Sequence, residues 1–79
     1  MTTEDVLEVV RASTAKVLEV DTSAMTLDGT LSDLGANSVD RADIVTQSML
    51  ELRVKVPARE FAQIKDIRSL VSVLQSHIS

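Results

Sequence analysis

The segment Leu34-Gly35-Ala36-Asn37-Ser38-Val39-Asp40 holds the chain's best candidate for chemistry. A glycine closes one stretch, a small polar pair follows, and an amphipathic run begins at Ser38. A serine at the mouth of a helix has two uses. Its oxygen can cap free backbone N–H groups. Its hydroxyl can also be an attachment point, because the same N–H groups and the positive end of the helix dipole favour a phosphate there. Nothing else in the chain forms a catalytic set. There is no Cys, which excludes intrinsic thiol chemistry and disulfides. The lone His77 builds no metal site, and its place near the chain's end suits a helix dipole. Asp28-Gly29-Thr30 begins like a calcium loop but lacks the further oxygen ligands and the closing Glu. No catalytic residue and no metal ligand is expected, and the question becomes what Ser38 carries.

The elements that position Ser38 follow from composition and period. The 79 residues suffice for one small domain spanning 1–79, with 44% hydrophobic residues that are nearly all aliphatic and Phe61 as the only aromatic. Two Gly and one Pro are too few for a β-rich fold with many tight turns. The expected fold class is all-α, a small four-helix bundle with a long loop between its first two helices.

The first helix is predicted from Thr3 to Leu18, capped by Thr2, with Val6, Val10, Ser13 and Val17 as its inner stripe and Leu7, Val9 and Leu18 beside it. Residues 19–37 show no sustained period, yet Leu27, Leu31 and Leu34 should pin this stretch onto the bundle. The second helix begins at Asn37 or Ser38 and ends near Leu52. Ile44, Val45, Ser48 and Leu52 gather in one sector, and Val39, Ala42, Thr46, Met49 and Leu50 in another. A small bundle buries one face of a helix, so the second sector should meet a partner, a ligand or the long loop. Pro57 suits the first position of a short helix over about Ala58 to Ile64, anchored by Phe61 and Ile64. Asp66 caps a last helix patterned by Ile67, Leu70, Val71, Leu74 and Ile78.

Charge is uneven. Residues 1–52 hold ten acids against three bases, and residues 53–79 hold five bases against two acids. Scattered bases without an aromatic platform make a poor nucleic-acid footprint, so no nucleic-acid partner is expected. No apolar run approaches membrane-spanning length and no leader pattern opens the chain, which points to a cytoplasmic monomer with no membrane partner.

Taken together, the long loop, the leucine-pinned turn, Gly35, Asn37-Ser38, Asp40 and a helix with a surplus apolar sector resemble the acyl carrier proteins. Leu34-Gly35-Ala36-Asn37-Ser38-Val39-Asp40 is similar to that family's Leu-Gly-x-Asp-Ser-Leu-Asp, and Val56-Pro57 to its Ile-Pro or Leu-Pro. The resemblance covers most of the chain. It implies a four-helix carrier in which Ser38 takes a covalent 4'-phosphopantetheine arm from coenzyme A, delivered by a phosphopantetheinyl transferase. The arm supplies the thiol that the chain lacks, and the chain itself is no enzyme.

One departure is Asn37, where the family usually has Asp. Asn37-Ser38-Val39-Asp40-Arg41 resembles a narrower group, the free-standing donor carriers of polyketide β-branching cassettes. Those present an acetyl thioester to an enzyme similar to hydroxymethylglutaryl-CoA synthase and work beside other polyketide synthase enzymes. On that resemblance the partner face comprises Asn37, Val39, Asp40, Arg41, Ala42, Asp43, Thr46, Met49 and Leu50. A carrier of fatty-acid synthesis is the nearest alternative. A peptidyl carrier would show a Gly-Gly-x-Ser type motif, absent here. From another class, a cofactor-free helical adaptor would use the same Val39–Leu50 face with Ser38 as a plain cap.

Overall fold

One short-range device recurs along the chain: an oxygen or amide side chain followed three residues later by Asp. Thr2 and Asp5 exchange backbone-to-side-chain hydrogen bonds at 2.9 and 3.2 Å. Thr30 and Asp33 do the same at 3.2 and 3.1 Å, and Asn37 and Asp40 at 3.2 and 2.8 Å. Each pair satisfies two donors at the start of a helical turn and brings an acid to the positive end of its dipole. These starts fix where the elements begin.

The computed structural model describes residues 1–62 and 64–78. Helix α1 spans Thr3–Leu18, α2 Ser38–Leu52, α3 Ala58–Phe61 and α4 Ile67–Ser76. No strand occurs among the described residues, and none of their helices is long and apolar enough to cross a membrane. The all-α, four-helix expectation holds. Helix α1 packs against both α2 and α4, and the short α3 lies on α4.

The core draws one face from each long helix: Val6, Leu7 and Val10 from α1, Ile44 from α2, and Ile67, Leu70, Val71 and Leu74 from α4. Each such side chain contributes about 1.5–3 kcal/mol over an exposed position. Ser13, Thr14 and Ser48 are buried among them. Thr14 and Ser48 donate their hydroxyls to the carbonyls of Val10 and Ile44 one turn back, at 2.7 and 2.8 Å. The Ser13 hydroxyl has no partner among the described residues.

Residues 19–37 form an ordered strap. Leu31 is buried and Leu27 and Leu34 pack at the core's edge, as their sequence positions predict, but Met25 and Ala36 are buried too. A single buried Met or Ala in a polar stretch has no period to reveal it. The strap is tied to α1, where the Arg11 guanidinium donates twice to the Met25 carbonyl at 3.1 and 2.7 Å. It is tied to α4, whose first free N–H groups, on Ile67 and Arg68, donate to the carbonyls of Gly29 and Leu27 at 2.9 Å each. Arg68 also pairs with Asp28 at 2.7 Å, so the residue that begins like a calcium loop has a structural partner.

Three boundaries differ from the pattern reading. A 3-10 turn, Ser32–Leu34, sits inside the strap. Helix α3 stops at Phe61 rather than Ile64; Pro57 is its cap rather than its first residue, and the N–H groups of Ala62 and Ile64 bond back three residues. A single turn gains too few hydrogen bonds to propagate. Gln63, inside the predicted span, lies outside the described residues. Ile78 packs half-buried past the end of α4. There His77 reaches back to Glu60 at 3.0 Å, fastening α4 to α3.

Candidate functional site around Ser38

Helix α2 begins where its sequence says, but Ser38 is not its cap. Asn37 is: its Oδ1 accepts the Asp40 N–H at 2.8 Å, and its own N–H donates to the Asp40 carboxylate at 3.2 Å. The amide side chain one residue ahead of Ser38 has the extended backbone that a cap needs, with φ −88° and ψ −175°. Ser38 is therefore the first helical residue, exposed, with its hydroxyl released from capping. Capping thus falls to Asn37 and does not occupy the Ser38 hydroxyl.

The approach to Ser38 is shaped by Gly35. It closes the 3-10 turn in the left-handed region at φ 89°, its N–H donating to the Ser32 carbonyl at 3.0 Å. A Cβ there would meet nothing within 4 Å, so glycine serves the backbone angle rather than space. Ala36 then turns inward and is buried, which leaves Asn37 and Ser38 outside.

Arg41, one turn along α2, folds back over this corner. Its Nη2 donates to Ser38 Oγ and its Nη1 to Ser32 Oγ, both at 3.3 Å. Asp40 does not pair with it, because its carboxylate serves the cap. The donor set around Ser38 Oγ is thus an exposed hydroxyl beside a guanidinium at a helix start, which fits a singly charged phosphodiester.

The second sector of α2 divides in two. Val39 and Leu50 are 67% exposed, with Asp43, Ala42 and Thr46 also exposed. Met49 is not with them: it is half-buried against the core's edge. Together with Arg41, Ala42, Val45 and Thr46 it lines a cleft of about 540 Å³ between α2 and the α3 region, closed by Leu31, Val56, Phe61, Ile64 and Leu70. The α2 residues on this wall recur at intervals of three and four, a stripe between the buried and the outer one. Grouping Met49 with Val39 and Leu50 joins it to residues that stand about 80–100° away on the helix; the position of α3 separates them. Val45 and Leu52, assigned to the buried sector, are half-buried.

Helix α2 ends at Arg53 in the left-handed region, φ 57°, with Arg53 and Val54 donating back to Leu50 and Met49 at 3.3 and 3.1 Å. This closing turn holds the Leu50 end of the outer face. Among the described residues no group of three or more His, Cys, Asp or Glu side chains could hold a metal.

Residues 8–74 match the family model described as "Phosphopantetheine attachment site". The chain is 34% identical over 79 residues to the polyketide biosynthesis acyl-carrier-protein AcpK of Bacillus subtilis (strain 168), covering 99% of this chain and 96% of that one. It is 29% identical over 76 residues to a stretch of the non-reducing polyketide synthase pkbA of Emericella nidulans, covering 96% of this chain and 3% of that far longer one. No solved structure matches the chain significantly.

Proposed function

Because the chain belongs to the phosphopantetheine-attachment family of acyl carrier proteins, a non-catalytic class that bears its cofactor covalently on a serine, we propose that Ser38 is that serine. The observation that carries this is the exposed Ser38 hydroxyl at the start of α2, freed by the Asn37 cap. The arm supplies a thiol to a chain without Cys, so that an acyl group can be held as a thioester. The chain's own residues fix the attachment oxygen, neutralise charge beside it through Arg41, and present α2 to enzymes. Family membership sets aside the cofactor-free adaptor. Residues 1–79 act as a single carrier domain.

The pathway is polyketide biosynthesis, and the role is acetyl donor to a hydroxymethylglutaryl-CoA-synthase-like enzyme in β-branching, with a phosphopantetheinyl transferase and other polyketide synthase enzymes as further partners. Supporting this are the similarity to AcpK, whose name places that protein in polyketide biosynthesis, and the run Asn37-Ser38-Val39-Asp40-Arg41. The partner face is Asn37, Val39, Asp40, Arg41, Ala42, Asp43, Thr46, Met49 and Leu50, with Val39 and Leu50 as its apolar contacts and Met49 contributing through the cleft wall.

Two measurements test these readings. Intact mass after incubation with coenzyme A and a transferase should rise by one arm in the wild type and not in Ser38→Ala; modification of Ser38→Ala sinks the site. Acetyl-loaded protein should donate to a β-branching synthase better than a fatty-acid synthesis carrier does, and equal donation sinks the donor role alone. The size of the cleft favours a second reading, a carrier of longer acyl chains as in fatty-acid synthesis, since about 540 Å³ exceeds what an acetyl group fills. Perturbation of Met49 and Phe61 resonances by an octanoyl but not an acetyl thioester would select it.

A further inference from the structure

We propose that Arg41 is a phosphate clamp built into the carrier itself, pairing with the phosphodiester on Ser38 and holding the base of the arm against the strap. The inference rests on the assignment of the arm to Ser38.

The observations concern a cation with poor partners. Three of the chain's other bases have acidic partners: Arg11 with Glu8, Lys16 with Glu51, and Arg68 with Asp28. Arg41 forms no ion pair among the described residues. Its adjacent acid, Asp40, is committed to the Asn37 N–H. What Arg41 has is two neutral hydroxyls, Ser38 Oγ and Ser32 Oγ, each at 3.3 Å. That is long for a hydrogen bond and well beyond the 2.7–2.9 Å, roughly, of a charge-assisted one. Yet the guanidinium is oriented: its two terminal nitrogens straddle the gap between α2 and the 3-10 turn, one to each side.

Esterification of Ser38 changes the partner, not the geometry. The anionic phosphate oxygens share a phosphorus with Oγ, so they arise within reach of a guanidinium already beside that oxygen. A planar fork of N–H donors is matched to two phosphate oxygens, and a weak contact to a hydroxyl becomes a charge-assisted pair. The acid nearby makes this useful. Asp40 lies in the same first turn of α2 as Ser38, and an added anion would meet its charge without a local cation. Ser32 keeps the other terminal nitrogen anchored, which costs the arginine less freedom on binding. Arg41 is thus a positioning residue for the arm.

The test uses the fully modified protein, with the arm located by mass of the peptide containing residue 38. Phosphorus-31 NMR reads the phosphodiester directly. In the wild type its resonance should move as salt is raised from about 20 mM to about 1 M, since an exposed pair is screened. In Arg41→Gln it should sit at the high-salt position throughout, and Arg41→Lys should restore part of the salt response. Modification should also raise the melting temperature of the wild type by about 1–8 °C more than that of Arg41→Gln, the shift expected for an exposed charge pair in a domain this small. Identical resonances and salt responses in the wild type and Arg41→Gln, with the arm present in both, overturn the clamp and leave the attachment site standing. Absence of the arm from wild-type Ser38 overturns both.

Discussion

Helix α2 presents aliphatic residues on two opposite sides, and the two sides have different fates. Ile44 is 0% exposed, while Val39 and Leu50 are 67% exposed. Hydrophobicity does not distinguish these residues; their angle on the helix relative to α1 and the strap does. The inner side gains its stability from packing. The outer side leaves Val39 and Leu50 in water on the helix that begins at Ser38, where the proposed partner would cover them. Between them lies the cleft wall of Val45 and Met49, where burial is half complete.

Substituting the two sides with the same chemistry should separate them most. Ile44→Asp buries an unpaired charge, whose cost rivals the whole stability of a domain this size, about 4–12 kcal/mol at the usual stability per residue. It should abolish cooperative melting followed by far-UV circular dichroism. Leu50→Glu should shift the midpoint by no more than about 4 °C, as surface substitutions do, while weakening acyl transfer to a partner enzyme. Comparable loss of fold in the two variants would erase the distinction between the faces.

Met49→Glu tests the middle stripe. A carboxylate there can still reach solvent through the cleft, so the loss should fall between the two, about 1–3 kcal/mol by chemical denaturation. A value equal to that of Leu50→Glu would return Met49 to the outer face.

A smaller contrast lies at the head of the helix. Asn37→Ala removes the cap and should cost about 0.5–2 kcal/mol. Ser38→Ala should cost less than about 0.5 kcal/mol, because its hydroxyl receives only a long hydrogen bond from Arg41. Equal losses, measured by urea unfolding, would mean that the two residues share the capping role.

The smallest effect is expected in acid, and it resides in the turns rather than on either face of α2. The Asp5 carboxyl is held below its usual range by the backbone N–H of Thr2 and then its hydroxyl, and that of Asp21 by the backbone N–H and side chain of Ser23. The Ser69 hydroxyl, and then its N–H, lower Asp66. Carboxyls that are more acidic folded than unfolded add stability above the unfolded value, about 3.9. That stability is lost as pH falls through the lower folded values. The melting temperature should thus hold steady from pH 7 to about pH 5 and fall below about pH 4. Asp66→Asn should flatten part of that fall, and an unchanged acid limb would remove Asp66 from the account.

Sequence alone determined what depends on near neighbours. The helix of Thr3 to Leu18 and its Thr2 cap follow from a period and a side chain three residues from its partner. The placing of Leu27, Leu31 and Leu34 against the bundle follows from isolated apolar residues in a polar stretch. Ser38 stands out as a candidate by its position between Gly35 and an amphipathic run. Even the Asn37 cap was available in Asn37-x-x-Asp40, the spacing already evident at Thr2 and Asp5. Tertiary structure alone decided what depends on distant segments meeting. The burial of Met25 and Ala36, the capping of α4 by the carbonyls of Leu27 and Gly29, and the separation of Met49 from Leu50 each need a second element whose place no local period encodes. The same holds for Arg41: its charge is in the sequence, but its reach from Ser38 across to Ser32 exists only because the strap returns beside the start of α2.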